Sequence, residues 1–242
     1  MPDFSDASEK CGGGAGNRVT GIREQGTGVE EPETRGPYTD GVKLWLHGHD
    51  VVALIVAVSF AAGLNLYATV ATLGLLAHTG MLGLPAGLEP LASWWVIGAS
   101  AVLFGVEFFA DKIPAFDLVW NALHTFIRVP VAALLAWRAA ATLSPGEQLA
   151  ATLLGGIIAL IAHGGKTTAR AAVTPSPEPF SNIGLSLGED VISIGLTWLA
   201  TRHPLVGATI AAGFVLVIVV LIRTVWRAVG ALFRGAERVI QT

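Results

Sequence analysis

The sequence predicts an all-α integral membrane protein with about six transmembrane helices. Of its 242 residues, 52% are hydrophobic and only 14% are charged, whereas soluble domains carry about 25% charged residues. The mean hydropathy is +0.62, and several apolar runs approach the roughly 20 residues that a membrane-spanning helix needs. The net charge of −3 gives no electrostatic basis for binding nucleic acid.

Residues 1–43 are predicted to form a disordered, polar N-terminal tail. This segment is rich in Gly and Glu and has no apolar periodicity, so it cannot bury enough surface to offset the entropy of ordering. The single cysteine, Cys11, lies within it. We therefore expect neither a disulfide framework nor a cysteine-based metal site, and no cofactor is predicted.

Residues 44–221 are predicted to form the transmembrane helical domain. The first apolar run is counted as one span, although Gly63 and Asn65 favour a break or kink within it. An even number of spans then leaves both termini on one side of the membrane. The predicted spans lie near residues 51–78, 93–112, 115–137, 147–166, 181–201 and 205–227.

The distribution of Lys and Arg predicts the orientation. The connection 79–92 contains neither residue, and the other two connections on that side contribute only Arg138 and Arg202. The opposite side is much richer in basic residues, so the positive-inside rule predicts a multi-pass cell-membrane protein with both termini in the cytoplasm. The basic residues of that side are Lys43, Lys112, Lys166, Arg170, Arg223, Arg227, Arg234 and Arg238.

Residues 222–242 are predicted to form a basic amphipathic helix at the membrane surface. The arginines of this segment share one stripe at the helical period, opposite a stripe of apolar residues. Such a helix can lie along an anionic lipid surface, and we expect it to act as an anchor.

Two segments of the domain share one plan, in which two apolar spans flank a polar, proline-containing break. In residues 93–137 the break is DKIP, and in residues 147–201 it is HGGKTTARAAVTPSPEPFSN. The plan is compatible with a duplicated two-helix unit, as transport proteins often contain, although few residues are identical between the segments.

Ionisable side chains recur at helical spacing on both sides of these breaks. Glu107 and Asp111 share a face at the end of one span, and in the next span Asp117, Asn121, His124 and Arg128 form a polar stripe. In the second segment Asn182, Ser186, Glu189 and Ser193 share a face. The candidate residues for a substrate or ion pathway are Asn65, Glu107, Asp111, Lys112, Asp117, His124, Arg128, His163, Lys166, Arg170, Glu189 and Asp190.

Charged groups in a membrane each cost at least about 2.5–3.5 kcal/mol at mid-depth unless they are paired or hydrated. Two interpretations follow: the groups line a polar cavity, or they form structural ion pairs. Arg128 is expected to pair with Glu189 or Asp190, the alternative being an anionic substrate. His124 and His163 are expected to be hydrogen-bonded by neighbours, the alternative being proton transfer. A metal site built from Glu107, Asp111, His124 and His163 has no supporting motif, and no metal is predicted.

Three stretches of the chain resemble a known family. AGLNLYATV, EFFADKIPAFDLVWNALHTFIR, and AHGGKTTAR followed by SLGED are similar to the bacterial membrane proteins grouped as domain of unknown function 4126, over roughly residues 55–200. The resemblance implies a multi-pass membrane protein. It carries no catalytic or binding residue to this chain.

The favoured function is a small transporter or channel-like protein that moves a polar solute or ion. One alternative is a membrane enzyme that acts on lipid headgroups through Asp111, Asp117 or His124, although no hydrolase or zinc-peptidase motif is present. The other is a structural protein with internal ion pairs. The expected partners are membrane lipids and a small solute, and the sequence leaves a homo-oligomer open.

Overall fold

A computed structural model of the chain describes residues 48–173 and 179–240, and the fold there is all-α as predicted, with no strand in these two ranges. A short 3-10 helix, Ala86–Ala92, precedes the third α-helix. The α-helices are α1 (Gly48–Leu64), α2 (Leu66–His78), α3 (Trp94–Ala110), α4 (Pro114–Ala139), α5 (Pro145–Val173), α6 (Pro179–Arg202) and α7 (Pro204–Ile240).

Four of these helices are long and apolar enough to cross a membrane, namely the parts of α4 to α7 within 119–139, 145–171, 183–202 and 204–227. A fifth crossing is formed if the 3-10 helix and α3, which meet at a bend of 68°, count as one span. Large apolar side chains cover the outer surface, as Trp95, Phe126 and Val191 illustrate. The structure supports four to five spans, and the predicted six is not confirmed.

The predicted span 51–78 is not one crossing, because the chain reverses at Asn65. Leu54 and Leu73 lie on either side of this residue in the sequence, and in one unbroken helix they would be about 28 Å apart. In the fold they line the same small cavity, together with Leu135 of α4. The backbone of Asn65 is extended, with φ −143° and ψ 103°. The two short helices therefore form a hairpin with a one-residue turn.

Both outer ends of the α1–α2 hairpin lie beside the connection between α4 and α5. A Cβ added to Gly48 would lie 4.0 Å from a methyl carbon of Leu143, and Gly87 packs against the carbonyl of Arg138. Val51 and Leu88 accordingly belong to one apolar cluster with the last turn of α4. The hairpin thus enters and leaves at the same end of the helical bundle, which we call the α4–α5 end.

The last helix runs to the opposite end of the bundle, which we call the α3–α4 end. Near its start, α7 packs on α6, since a Cβ on Gly207 would lie 2.9 Å from Cα of Ala200. Further along, Ile218 and Ile222 approach α5 at Gly165 and Gly164. Gly48 and Ile222 therefore lie at opposite ends. The described residues contain four to five candidate spans, so the even number of crossings behind the expectation of two cytoplasmic termini is not confirmed.

The predicted surface helix is continuous with the last span, since α7 extends from Pro204 to Ile240. Arg223 and Arg227 are exposed. The side chains of Arg234 and Arg238, and the predicted tail 1–43, lie outside what the structure describes.

Helix α1 is the central element, packed against α4, α5, α6 and α7. Small residues allow this close approach, as they commonly do between membrane helices. A Cβ on Gly63 would lie 2.6 Å from the carbonyl oxygen of Ala159, closer than two such atoms can approach. Gly63 therefore allows the end of α1 to contact the backbone of α5, which brings the turn at Asn65 next to the charged part of α5.

Candidate functional site

The buried ionisable side chains gather in one network, where the α1–α2 turn meets α3, α4, α5 and α6. Each of them is at most 7% exposed. We call this set the charged network. Its acids are Glu107, Asp111, Glu189 and Asp190, and its bases are Arg128, Lys166 and Arg170.

Lys166 of α5 contacts three of the four acids. Its ammonium nitrogen lies 2.9 Å from a carboxylate oxygen of Asp111 and 3.3 Å from carboxylate oxygens of both Glu107 and Glu189. It also donates a hydrogen bond, of 3.3 Å, to the backbone carbonyl of Leu64. One side chain thus joins the ends of α1 and α3 to the middle of α6.

Arg170, one helical turn after Lys166, joins the end of α3 to α6. Its Nη2 lies 2.9 Å from Oδ2 of Asp111 and 2.6 Å from Oε2 of Glu189. Its Nη1 donates to the backbone carbonyl of Asp111 at 3.1 Å. Since Asp111 is the C-cap of α3, this arginine stabilises the helix end as well as its carboxylate.

Arg128 of α4 has an acidic partner across the bundle, as predicted, but the partner is Glu107 rather than Glu189 or Asp190. Its Nη1 also donates to Oδ1 of Asn121 and to Nδ1 of His163. The sequence-based assignment was wrong because Glu189 is occupied by the bases of α5.

Hydrogen bonds assign a tautomer to each buried histidine, and both are bonded by neighbours, as predicted. His163 accepts from Arg128, which has no acceptor, so a neutral ring carries its proton on Nε2, 2.7 Å from the hydroxyl of Thr125. His124 donates from Nδ1 to the carbonyl of Trp120 at 2.8 Å and accepts from the Tyr67 hydroxyl at 3.0 Å. Neither ring has a free position for relaying a proton in this conformation.

The turn at Asn65 places the end of α1 and the start of α2 beside the charged network. The Asn65 side chain caps α2, because its Oδ1 accepts from the amide of Ala68 at 2.9 Å. Its Nδ2 donates to Oδ1 of Asp190, also at 2.9 Å. The hydroxyls of Thr69 and Thr72 donate to carbonyls of their own helix. Asn65 therefore links the hairpin to α6, as does the hydroxyl of Ser193, which donates to the carbonyl of Ala61.

Asp190 differs from the other three acids in its partners, since Glu107, Asp111 and Glu189 each contact two bases, whereas Asp190 accepts a hydrogen bond from a neutral amide. Its Oδ1 accepts from Asn65, but its Oδ2 has no hydrogen-bond partner among the described residues. The hydroxyl of Ser186, one turn earlier on α6, is also buried without a partner there. Residues four apart share a helix face, so two unsatisfied polar groups lie next to each other in the network.

The match to a family model covers residues 52–224 and therefore includes every member of the charged network. That model is described as Domain of unknown function (DUF4126). The chain belongs to this family. The predicted resemblance is thus confirmed. Comparisons with curated proteins and with solved structures found no match.

Lys112 and His124, two candidates from the sequence, make their contacts outside the ion pairs of the network. Lys112 donates to the carbonyl of Phe108 at 2.8 Å, with its ammonium 3.0 Å from the centre of that aromatic ring. His124 contacts Tyr67 and stacks on Trp120 rather than touching a charged residue. The side chain of Asp117 is outside the described residues.

Sequence reasoning missed Tyr67 and Thr125, which bond the two histidines. Tyr67 follows Asn65 by two residues, and only the reversal of the chain there brings it to α4. The four residues of the conceivable metal site do not form one, since the described side chains contain no group of three or more metal-binding residues. Glu107 and Asp111 contact bases instead.

Proposed function

We propose that this protein transports a small ion or polar solute across the cell membrane, and that the described conformation is its closed state. The observation that carries the proposal is a helical hairpin whose buried turn is bonded to a network of four acids and three bases. Broken helices are a recurring device of transporters, because their free backbone ends bind ions and substrates away from water.

The excess of one acid favours a transport role over a structural one. A network that only stabilises the fold gains nothing from a buried carboxylate without a base, because removing such a group from water costs several kcal/mol. Asp190 is that carboxylate, since no basic side chain forms an ion pair with it in the described ranges. This cost is expected where a group must change its partner or its charge during function.

The network is closed on both sides in this conformation, with no member more than 7% exposed. Transport therefore requires movement of the helices that carry its acids and bases. Helix α3 packs mainly against α2, whereas its acids reach α5 through ion pairs. We expect α2 and α3 to move together, breaking the pairs that Asp111 makes with Lys166 and Arg170.

We further propose that the α3–α4 end faces the cytoplasm. Lys112, Arg223 and Arg227 lie at or beyond that end, whereas Arg138 and Arg202 mark the other. The positive-inside rule relates such a bias to the cytoplasmic side. With a hairpin in place of the first span, this orientation puts Gly48 on the outer side.

Flux in proteoliposomes tests the proposal. Purified protein is reconstituted, and the movement of protons, alkali cations, halides and small organic ions is followed in parallel assays. The wild type should move at least one of them faster than empty liposomes do. Asp190→Asn, which retains the shape of the side chain, should lower this rate at least tenfold, whereas Glu147→Gln should not, because Glu147 is exposed at the start of α5. Equal rates for wild type and empty liposomes across the panel would contradict transport and favour the structural role.

A further inference from the structure

We infer that the Asp190 carboxylate is a proton-binding site, loaded at Oδ2 and completed by Ser186 and Asn65. The proton binding stands on the geometry of α6 and the α1–α2 turn, and its use during transport rests on the proposed function. Loading forms one O–H bond with a proton taken from water, which neutralises the carboxylate, and unloading returns the proton to water.

The first support is the pattern of ion pairs. Glu107 contacts Arg128, while Asp111 and Glu189 share Lys166 and Arg170. Each base is thus used by another acid. With all seven groups ionised the network carries one net negative charge, and one bound proton makes it neutral. Asp190, whose one hydrogen bond within the described residues comes from a neutral amide, is the acid that gains most from that proton.

The second support is that the site fits both states of the carboxyl. Asn65 donates to Oδ1 whether or not Oδ2 is protonated. Ser186 is fully buried, and its hydroxyl has no partner among the described residues, as is also true of Oδ2 of Asp190. A hydroxyl both donates and accepts, so Ser186 can donate to the carboxylate and accept from the protonated acid. The same two side chains can therefore serve each state, and the Ser186 hydroxyl must turn toward Oδ2 to do so, since the two atoms are not bonded in the described conformation.

The charged surroundings of Asp190 come from few helices. Helix α1 has no titratable residue between Asp50 and Asn65, and α7 has none before Arg223. The charged groups around Asp190 are Glu189 on its own helix, Lys166 on α5, Glu107 and Asp111 at the end of α3, and Lys112 after α3, with Arg170 bound to Glu189. The bases of α5 are already paired, so they offset the negative charge of Asp190 only in part.

A proton fits this site better than a metal cation does. Metal cations need several oxygen ligands, and the described residues contain no group of three or more side chains that could hold one. Oδ1 of Asn65 accepts from Ala68, and the carbonyl of Leu64 accepts from Lys166. The ammonium at that carbonyl would also repel a cation. A proton requires only the free Oδ2.

Infrared difference spectroscopy on the purified full chain tests the inference without a transport assay. Spectra recorded across a pH series should show the band of a buried protonated carboxyl, which weakens as the pH rises. The band should persist in Glu147→Gln and be absent from Asp190→Asn. An unchanged band in Asp190→Asn would overturn the proposal, as would a wild-type spectrum without such a band at any pH.

A second variant keeps the test decisive if Asp190→Asn does not fold. Ser186→Ala removes only one hydroxyl and should shift the frequency of the same band, because the O–H of the acid loses its acceptor. An unchanged frequency in a folded Ser186→Ala protein would contradict the site.

The proton site and the transport function can be refuted independently of each other. A carboxyl band without any flux would refute transport while leaving the proton site, and flux that Asp190→Asn leaves intact would refute a transport role for the site.

Discussion

The ammonium of Lys166 lies 3.3 Å from the backbone carbonyl oxygen of Leu64, the last residue of α1. The last carbonyls of a helix lack partners within the helix, and a cation there also interacts favourably with the helix dipole. The same ammonium contacts three carboxylates, those of Glu107, Asp111 and Glu189. Lys166 therefore links the hairpin turn to the ion pairs. A displacement of the turn would change the contacts of the ion pairs, and the reverse also holds.

Replacing Lys166 by Met should strongly destabilise the protein. Methionine has a similar length but leaves the carboxylates of α3 and α6 with one base fewer, and removal of one partner of a buried ion pair costs about 3–5 kcal/mol. Unfolding in detergent, followed by circular dichroism, measures this loss. Lys112→Met serves as the matched control, because a partly exposed base should contribute about 1 kcal/mol or less. Equal losses in the two variants would contradict the central position of Lys166.

The pairing of Arg128 with Glu107 predicts rescue by a second substitution. Arg128→Met leaves a buried carboxylate without its guanidinium and should destabilise the fold by about 3–5 kcal/mol. Adding Glu107→Gln removes the stranded charge and should restore part of that loss. Adding Glu189→Gln instead should not, because Glu189 is bonded to Lys166 and Arg170. The midpoints of thermal unfolding of the single and double variants measure the rescue. Rescue by Glu189→Gln would show that the pairing of Arg128 with Glu107 is wrong.

Much of the candidate site was predictable because helical spacing alone places side chains on a face. Glu107 and Asp111 were predicted to share a face at the end of one span, and both form ion pairs in the structure. Hydropathy likewise identified the long apolar helices. Partner choice was not predictable, because the order of helices around the bundle decides which acid meets Arg128, and a single sequence does not give that order.

The α1–α2 hairpin could not be predicted from hydropathy either. Residues 51–78 form one apolar run in the sequence. The two helices within it are both largely buried in the protein, and no polar loop separates them. The break requires one extended residue, and Asn65 supplies it together with its own cap for α2. An asparagine between two apolar runs indicates a kink, but the angle of that kink depends on the tertiary contacts of Gly63 and Asp190.

The close approach of α1 to α5 predicts a specific effect of added volume. Gly63→Ala places a methyl group 2.6 Å from the Ala159 carbonyl and 2.7 Å from the Ala162 side chain, and overpacking of this kind costs about 1–3 kcal/mol. Gly98→Ala in α3 is the control, because nothing lies within 4 Å of its added methyl group. The midpoints of thermal unfolding should fall for Gly63→Ala only. A similar midpoint for both would mean that α1 can move away from α5 at no cost.

Labelling of cysteines tests the topology, because the hairpin changes the side on which α1 begins. If residues 48–78 enter and leave at the α4–α5 end, and five helices cross, Gly48 lies on the same side as Gly146. In a Cys11→Ser background, Gly48→Cys, Gly146→Cys and Ala231→Cys are introduced one at a time. A membrane-impermeant maleimide added to intact cells should label Gly48→Cys and Gly146→Cys, whereas Ala231→Cys should react only after the cells are opened. Labelling of Gly48→Cys only in opened cells, together with Ala231→Cys, would restore the even number of crossings and exclude the hairpin topology.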